Sequence, residues 1–277
     1  MNKWMQVNRM IDLKTQLKKK PNPSSELIDK MLKQVGSTDP ELRDQLIYTQ
    51  FSNWIGNQQL NNEQIKRLLN TCLQNISFHL GEKENDSIFK RSFSILLCTE
   101  CIQHYNELNK VEYDYALQMA HMYLNEELDL RGYVEAKGWA HGIAHCADFL
   151  VALLSNSYYH QTNIIETLHS IQTSLFTEMA FVDDETDRLA APVKLLCDKF
   201  PHQQPLIKTW INSLPALIAD LQSKDISNQN LYFYRTRTNV VHFLSSLYFE
   251  LLQAEHRENE EIIHSTYGVI QRLRKMS

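Results

Sequence analysis

Residues 131–148 read RGYVEAKGWAHGIAHCAD and gather an unusual density of groups capable of chemistry. His141 and His145 stand four apart, and Asp148 follows three residues later. On a helix from Trp139 to Leu154 these three would share a sector about 60° wide, with Lys137 at its edge and apolar or small residues elsewhere. Such a stripe suits acid–base work, with His141 or His145 as base and Asp148 orienting it, although no nucleophile is evident. It would equally line a hydrated binding groove. The structural alternative is a buried His145–Asp148 hydrogen bond that fixes one imidazole tautomer. Paired His at i, i+4 is also a metal-ligand spacing. However, His141 and Asp148 would lie about 10.5 Å apart along the axis, too far to share one ion. No metal and no other cofactor is expected. Three of the seven glycines, Gly132, Gly138 and Gly142, fall in this stretch. Gly138 and Gly142, one turn apart, would admit a neighbouring backbone.

Other constellations are simpler. Cys98-Thr-Glu-Cys101, with His104 beyond, matches C-x-x-C but lies in an apolar helical run without a second pair. Core thiols are expected there. Asp183-Asp-Glu-Thr-Asp-Arg188 offers carboxylates, and reads most simply as a helix start with an Asp184–Arg188 pair at i, i+4. Asp86 to Arg91 has the same character, a cap followed by exposed cations. There is no G-x-S-x-G, H-E-x-x-H or Gly-rich phosphate loop.

The elements that must position these residues are helices. Ile65, Leu68, Leu69, Cys72, Leu73, Ile76 and Leu80 recur with helical period, as do the apolar residues of 206–221 and 240–251. No comparable stretch alternates with period two, so the chain reads as all-α. Asn22-Pro23, Asp39-Pro40 and Asn61 with Gln64 are start signals. Eleven or twelve helices with short connections are predicted, in one domain over 1–277 whose residues 1–38 are peripheral helices. Starts near Asp39, Asp86, Arg131, Asp183 and Asn228 recur at about 45 to 50 residues, the length of a HEAT-type helix pair. The expected architecture is a helical-hairpin array, a HEAT- or armadillo-like superhelix, with a closed α/α toroid as the competitor.

The 277 residues carry 28 Lys+Arg against 33 Asp+Glu, a net charge of −5 that does not favour nucleic acid. The N-terminal stretch lacks a signal-peptide h-region, and no apolar run approaches a membrane span. Five cysteines without a framework fit a reduced cytoplasm.

"DLRGYVEAKGWAHGIAHCAD", "DSIFKRSFSILL" at 86–97 and "FVDDETDRLA" at 181–190 resemble an uncharacterised bacterial family known only as a domain of unknown function. The similarity runs from about Asp39 to the C-terminal helices. It implies an all-helical, HEAT-like fold and no activity. It singles out Arg131, Tyr133, Glu135, Lys137, Trp139, His141, His145, Asp148, Asp86, Arg91, Asp184 and Arg188 as motif positions without roles. Gly138-Trp-Ala-His-Gly142 also resembles a string of lanthionine-cyclase-like toroids, but the zinc-holding Cys and Cys-His segments of those proteins have no counterpart here. The leading expectation is a cytoplasmic array that binds a protein or small-molecule ligand in a groove. Lys137, His141, His145 and Asp148 would line that groove, with Arg131 and Glu135 at its entrance. The alternative is a hydrolase-type enzyme using His141 or His145 with Asp148 for acid–base or metal-assisted chemistry. A duplex-holding groove of the helical-repeat DNA-repair type is a third reading, opposed by the acidic balance.

Overall fold

Capping chemistry sets several helix starts in the computed structural model, which describes residues 11–224, 231–254 and 259–276. Asn61 Oδ1 accepts the Gln64 N–H at 2.9 Å while Gln64 Oε1 accepts the Asn61 N–H at 3.0 Å, the reciprocal box expected there. Asn109 and Glu112 repeat the arrangement. Ser24, rather than Asn22, caps the second helix. Asp39 accepts the Leu42 N–H at 3.2 Å. The start expected near Asn228 lies outside the described residues.

Helix α1 occupies residues 11–17 and α2 spans Ser25–Leu32. A π-helical stretch, Glu41–Tyr48, runs on into α3 (Thr49–Gly56). Then follow α4 (Asn62–Ile76), α5 (Ser87–His104), α6 (Lys110–Glu126), α7 (Gly142–Ser155), α8 (Ile164–Leu175) and α9 (Glu185–Lys199). The chain continues with α10 (Gln204–Lys224), α11 (Leu231–Gln253) and α12 (Glu260–Arg274). One short antiparallel hairpin, β1 (Tyr133–Val134) with β2 (Gly138–Trp139), interrupts this order between α6 and α7.

The helices pack in sequential pairs, and α3, α5, α7, α9 and α11 form one continuous row. Contacts advance in the same direction along each neighbour. Asp86 meets Lys137 and Phe93 meets His145, while Phe181 meets Asn239 and Asp187 meets Ser246. The row is therefore parallel. Helix α6 runs the other way, its Tyr113 hydroxyl donating to the Leu153 carbonyl at the end of α7. This is the helical-hairpin array expected from the periodicity. Helix α7 lies at its centre and buries Ile143, Ala144, Cys146, Ala147, Phe149 and Leu150. Leu27, Ile28 and Met31 of α2 join the same core.

The starts of α5, α7 and α9 share one edge of the array, and a buried ion pair ties that edge together. Arg91 and Glu127 have no exposed side-chain surface and bond bidentately at 2.6 and 2.8 Å. Arg91 also donates to the carbonyls of Phe78 and His79 and to the Ser87 hydroxyl. It thus joins the α4–α5 loop, α5 and the end of α6. Removing one member strands a buried charge. Arg91→Leu should cost about 3 to 5 kcal/mol in chemical denaturation. Arg91→Leu/Glu127→Leu should recover part of that loss. A double variant no more stable than the single one would show that the pairing of charges is not what matters there.

Candidate functional site

The segment 131–141 is not helical, because its backbone turns too sharply. Ala136 and Gly138 have φ of 61° and 81°, and the N–H groups of Ala140 and His141 both point to the Gly132 carbonyl, at 2.7 and 3.4 Å. Tyr133 pairs with Trp139, and Val134 with Gly138. The helix expected from Trp139 therefore begins at Gly142. His141 is its N-cap, held in the left-handed region at φ 48° with no side-chain cap bond. Gly142 admits a side chain rather than a backbone, since a Cβ there would stand 2.1 Å from the Tyr123 hydroxyl.

Three contacts fix the hairpin. Arg43, fully buried, donates to the Lys137 carbonyl at 2.9 Å and to that of Trp139 at 3.5 Å. Asp183 Oδ2 accepts the Tyr133 N–H at 3.1 Å. Lys137 Nζ grips both oxygens of Asp86 at 2.6 and 2.8 Å, so Asp86 serves as an anchor and not as a cap. Arg131 is folded back on the buried Asp129, at 2.7 and 2.6 Å.

The fixed hairpin presents a ladder of rings. Tyr133 and Trp139, 55 % and 45 % exposed, meet edge-to-face with centroids 5.0 Å apart. Trp139 meets His141 at 4.4 Å, His141 meets His145 at 5.9 Å and His145 meets Phe93 at 5.8 Å. Below them the Arg43 guanidinium lies between Phe93 and Phe89, 4.5 and 4.2 Å from the centroids. The ladder thus runs from solvent to a buried cation.

His141, His145 and Asp148 still line one side of α7, but their bonding differs from expectation. Asp148 pairs with Arg188 of α9, and Nδ1 of His145 and Nε2 of His141 are buried without hydrogen-bond partners. Arg188 in turn does not close the expected i, i+4 pair with Asp184, because the parallel α7–α9 packing offers it Asp148 across the row. Burial holds both imidazoles neutral. It pushes His145 down to about 3, helped by His141, and lowers His141 against the opposing charge of Asp183. Arg91, expected in the groove, is packed beneath the edge with Glu127 and reaches no surface. Glu135 is exposed at the hairpin turn, and Asp184 is exposed at the start of α9 with φ 68°.

Sequence reasoning missed Arg43, Glu127 and Asp129. The alternation of charge in Glu127-Leu-Asp129-Leu-Arg131 was the available signal for the last two; Arg43 looks like any helix-surface arginine. Cys72, Cys98, Cys101, Cys146 and Cys197 are free and buried, and burial pushes Cys98 and Cys101 up, as core thiols require. Among the described residues no group of three or more His, Cys, Asp or Glu is placed to hold a metal ion. No described helix is long and apolar enough to cross a membrane. A cleft of about 560 Å³ lies apart from the histidines, between Lys83, Leu128, Arg131, Met179 and Arg235.

Fold and site together define an all-α helical-hairpin array that carries a clamped aromatic–histidine hairpin on one edge. Residues 76–249 match the family described as a protein of unknown function, DUF2785, and the chain belongs to that family. No curated protein and no solved structure matches the chain.

The neutral histidines make stability depend on pH with a defined sign. The unfolded chain protonates His145 near the ordinary histidine value of about 6.5, whereas the folded chain does so near 3. Between these values the unfolded state binds the extra proton. Stability is therefore full above about pH 6.5 and falls as pH drops toward 3. His145 is not wholly buried, so the limiting slope of about 1.4 kcal/mol per pH unit is an upper bound. Urea denaturation of His145→Gln should show a flatter pH dependence than the parent between about pH 7 and 5. An unchanged slope would mean that His145 protonates freely in the folded chain.

Proposed function

We propose that this protein is a binding protein, which docks a protein partner on the hairpin edge. The observation that carries this reading is the fixed exposure of Tyr133 and Trp139. Two large rings stand in solvent, touching edge-to-face, on a hairpin held by Arg43, Asp183 and Lys137–Asp86. Exposed rings already fixed in one geometry lose little conformational entropy on association, and aromatic side chains are the usual anchors of protein interfaces. The hydrolase alternative needs a carboxylate to orient a histidine. Asp148 faces Arg188 instead, which leaves that reading less support.

The test is a comparison of captures. Tagged parent and the Tyr133→Ser/Trp139→Ser variant would be recovered from extracts of the source cells and their associated proteins quantified. Both changes lie on exposed rings, so the melting temperature should stay close to the parent's. At least one protein should fall about fivefold or more in the variant, as expected when two anchor residues are removed. Identical captures from two equally stable proteins would defeat the proposal.

A further inference from the structure

The hairpin edge has a charge that its sequence conceals. Lys137 is paired with Asp86, Arg188 with Asp148 and Arg131 with Asp129. Among the described residues, four further carboxylates at the surface are not paired with a cation: Glu135 at the hairpin turn, Asp183 and Asp184 beside it, and Asp187 one turn into α9, which accepts the Ser246 hydroxyl. The two imidazoles among them are neutral at physiological pH. The edge is thus aromatic and anionic together.

A groove continues from it. Asp184 and Asp187 line a cleft of about 520 Å³ between the start of α9 and α11, with Val182 and Phe249 exposed at 79 % and 61 % on its walls. Asp184 stands between this cleft and the Tyr133–Trp139 pair, since its neighbour Asp183 holds the Tyr133 backbone. Ring faces attract guanidinium and ammonium groups, and carboxylates bind them by charge-assisted hydrogen bonds. Apolar walls accept the aliphatic stems of Lys and Arg and the apolar residues between them.

We infer that the occupant of this surface is a basic polypeptide segment, in which Lys or Arg side chains alternate with small or apolar ones. Its cations lie on Tyr133 and Trp139 and against Asp184 and Asp187, and its apolar residues enter the cleft beside Val182 and Phe249. This rests on the docking role proposed above and adds the chemistry of the partner.

Fluorescent peptides of alternating Arg and Ala, and of alternating Glu and Ala, test it by anisotropy against four proteins. These are the parent, Trp139→Ser, Asp184→Asn/Asp187→Asn, and Glu63→Gln/Glu107→Gln, whose exposed acids lie at the opposite edge of the array. Asparagine tolerates the left-handed backbone of residue 184, so the site should keep its shape. The Arg–Ala peptide should bind the parent, with affinity falling as salt rises. It should lose about tenfold or more with Asp184→Asn/Asp187→Asn, and less than about twofold with the opposite-edge pair. Equal losses in the two double variants would reduce the effect to net charge and overturn the inference. So would Arg–Ala binding no tighter than Glu–Ala, or spermine matching the peptide's affinity, which would assign the patch to a small polyamine. If the Glu–Ala peptide binds instead and Trp139→Ser abolishes it, the docking role stands and only the cationic partner is wrong. If Arg–Ala binding is unchanged by Trp139→Ser, the hairpin itself is not the docking element.

Discussion

The hairpin edge depends on one buried guanidinium. Arg43 leaves the π-helical stretch before α3, passes between Phe89 and Phe93 of α5, and donates to carbonyls of Ser37, Lys137 and Trp139. Burial lowers its proton affinity, but an arginine keeps its proton even then, with Asp44 beside it as partial compensation. A lysine would not serve. Its ammonium has no plane to lie between two rings, and its donors are not arranged to reach three carbonyls on two segments at once. The contact joins residues some ninety positions apart in sequence, so the shape of the hairpin depends on tertiary packing and not on its local sequence alone.

From that cation outward, order is passed along by rings. Phe93 abuts His145, His145 abuts His141, and His141 abuts Trp139, each within about 6 Å between centroids. This explains why two histidines stand at positions where the backbone would accept many residues. An imidazole is small enough to fit between α7 and the hairpin, and flat enough to meet an aromatic edge. Burial strips both of charge, which a ladder of apolar rings tolerates and a protonated histidine beside Arg43 and Arg188 would not. The left-handed turn at His141 places its ring under Trp139 while its carbonyl accepts the His145 N–H at 2.9 Å and starts α7. One residue thus both starts the helix and carries a ring of the ladder.

Much of the architecture was legible in the sequence because it is written in apolar periodicity and capping residues, both local. The Asn61–Gln64 box and the apolar faces of α4, α10 and α11 lie where the pattern puts them. What failed at 131–141 was an inference from spacing. His141, His145 and Asp148 recur at helical intervals, but Gly132, Ala136 and Gly138 precede them in a segment whose amides bond to one another across a turn. With only two residues per strand, no alternation exists to be detected. The pairings failed for a different reason. Asp184 and Arg188 have the spacing of a helical ion pair, and Asp148 lies forty residues from Arg188, yet the parallel row brings Asp148 closer. Partner choice is set by the packing of whole helices, which no local pattern records.

The same bookkeeping of partners explains how a motif rich in both signs of charge yields an acidic surface. Four cations near the edge are held by structural carboxylates: Arg91 by Glu127, Arg131 by Asp129, Lys137 by Asp86 and Arg188 by Asp148. Two of these carboxylates are buried, so their charges are spent on backbone and guanidinium groups inside the protein. The acids left over, Glu135, Asp183, Asp184 and Asp187, are those on the exposed turn and at the start of α9. Acidic residues in that first turn are favoured by the helix dipole and need no cation to stay charged. The fold therefore concentrates its surplus of negative charge beside its two exposed rings. A change that frees Arg188 or Lys137 from its partner would alter this surface more than its small effect on stability would suggest, because it would place an unpaired cation beside these acids and rings.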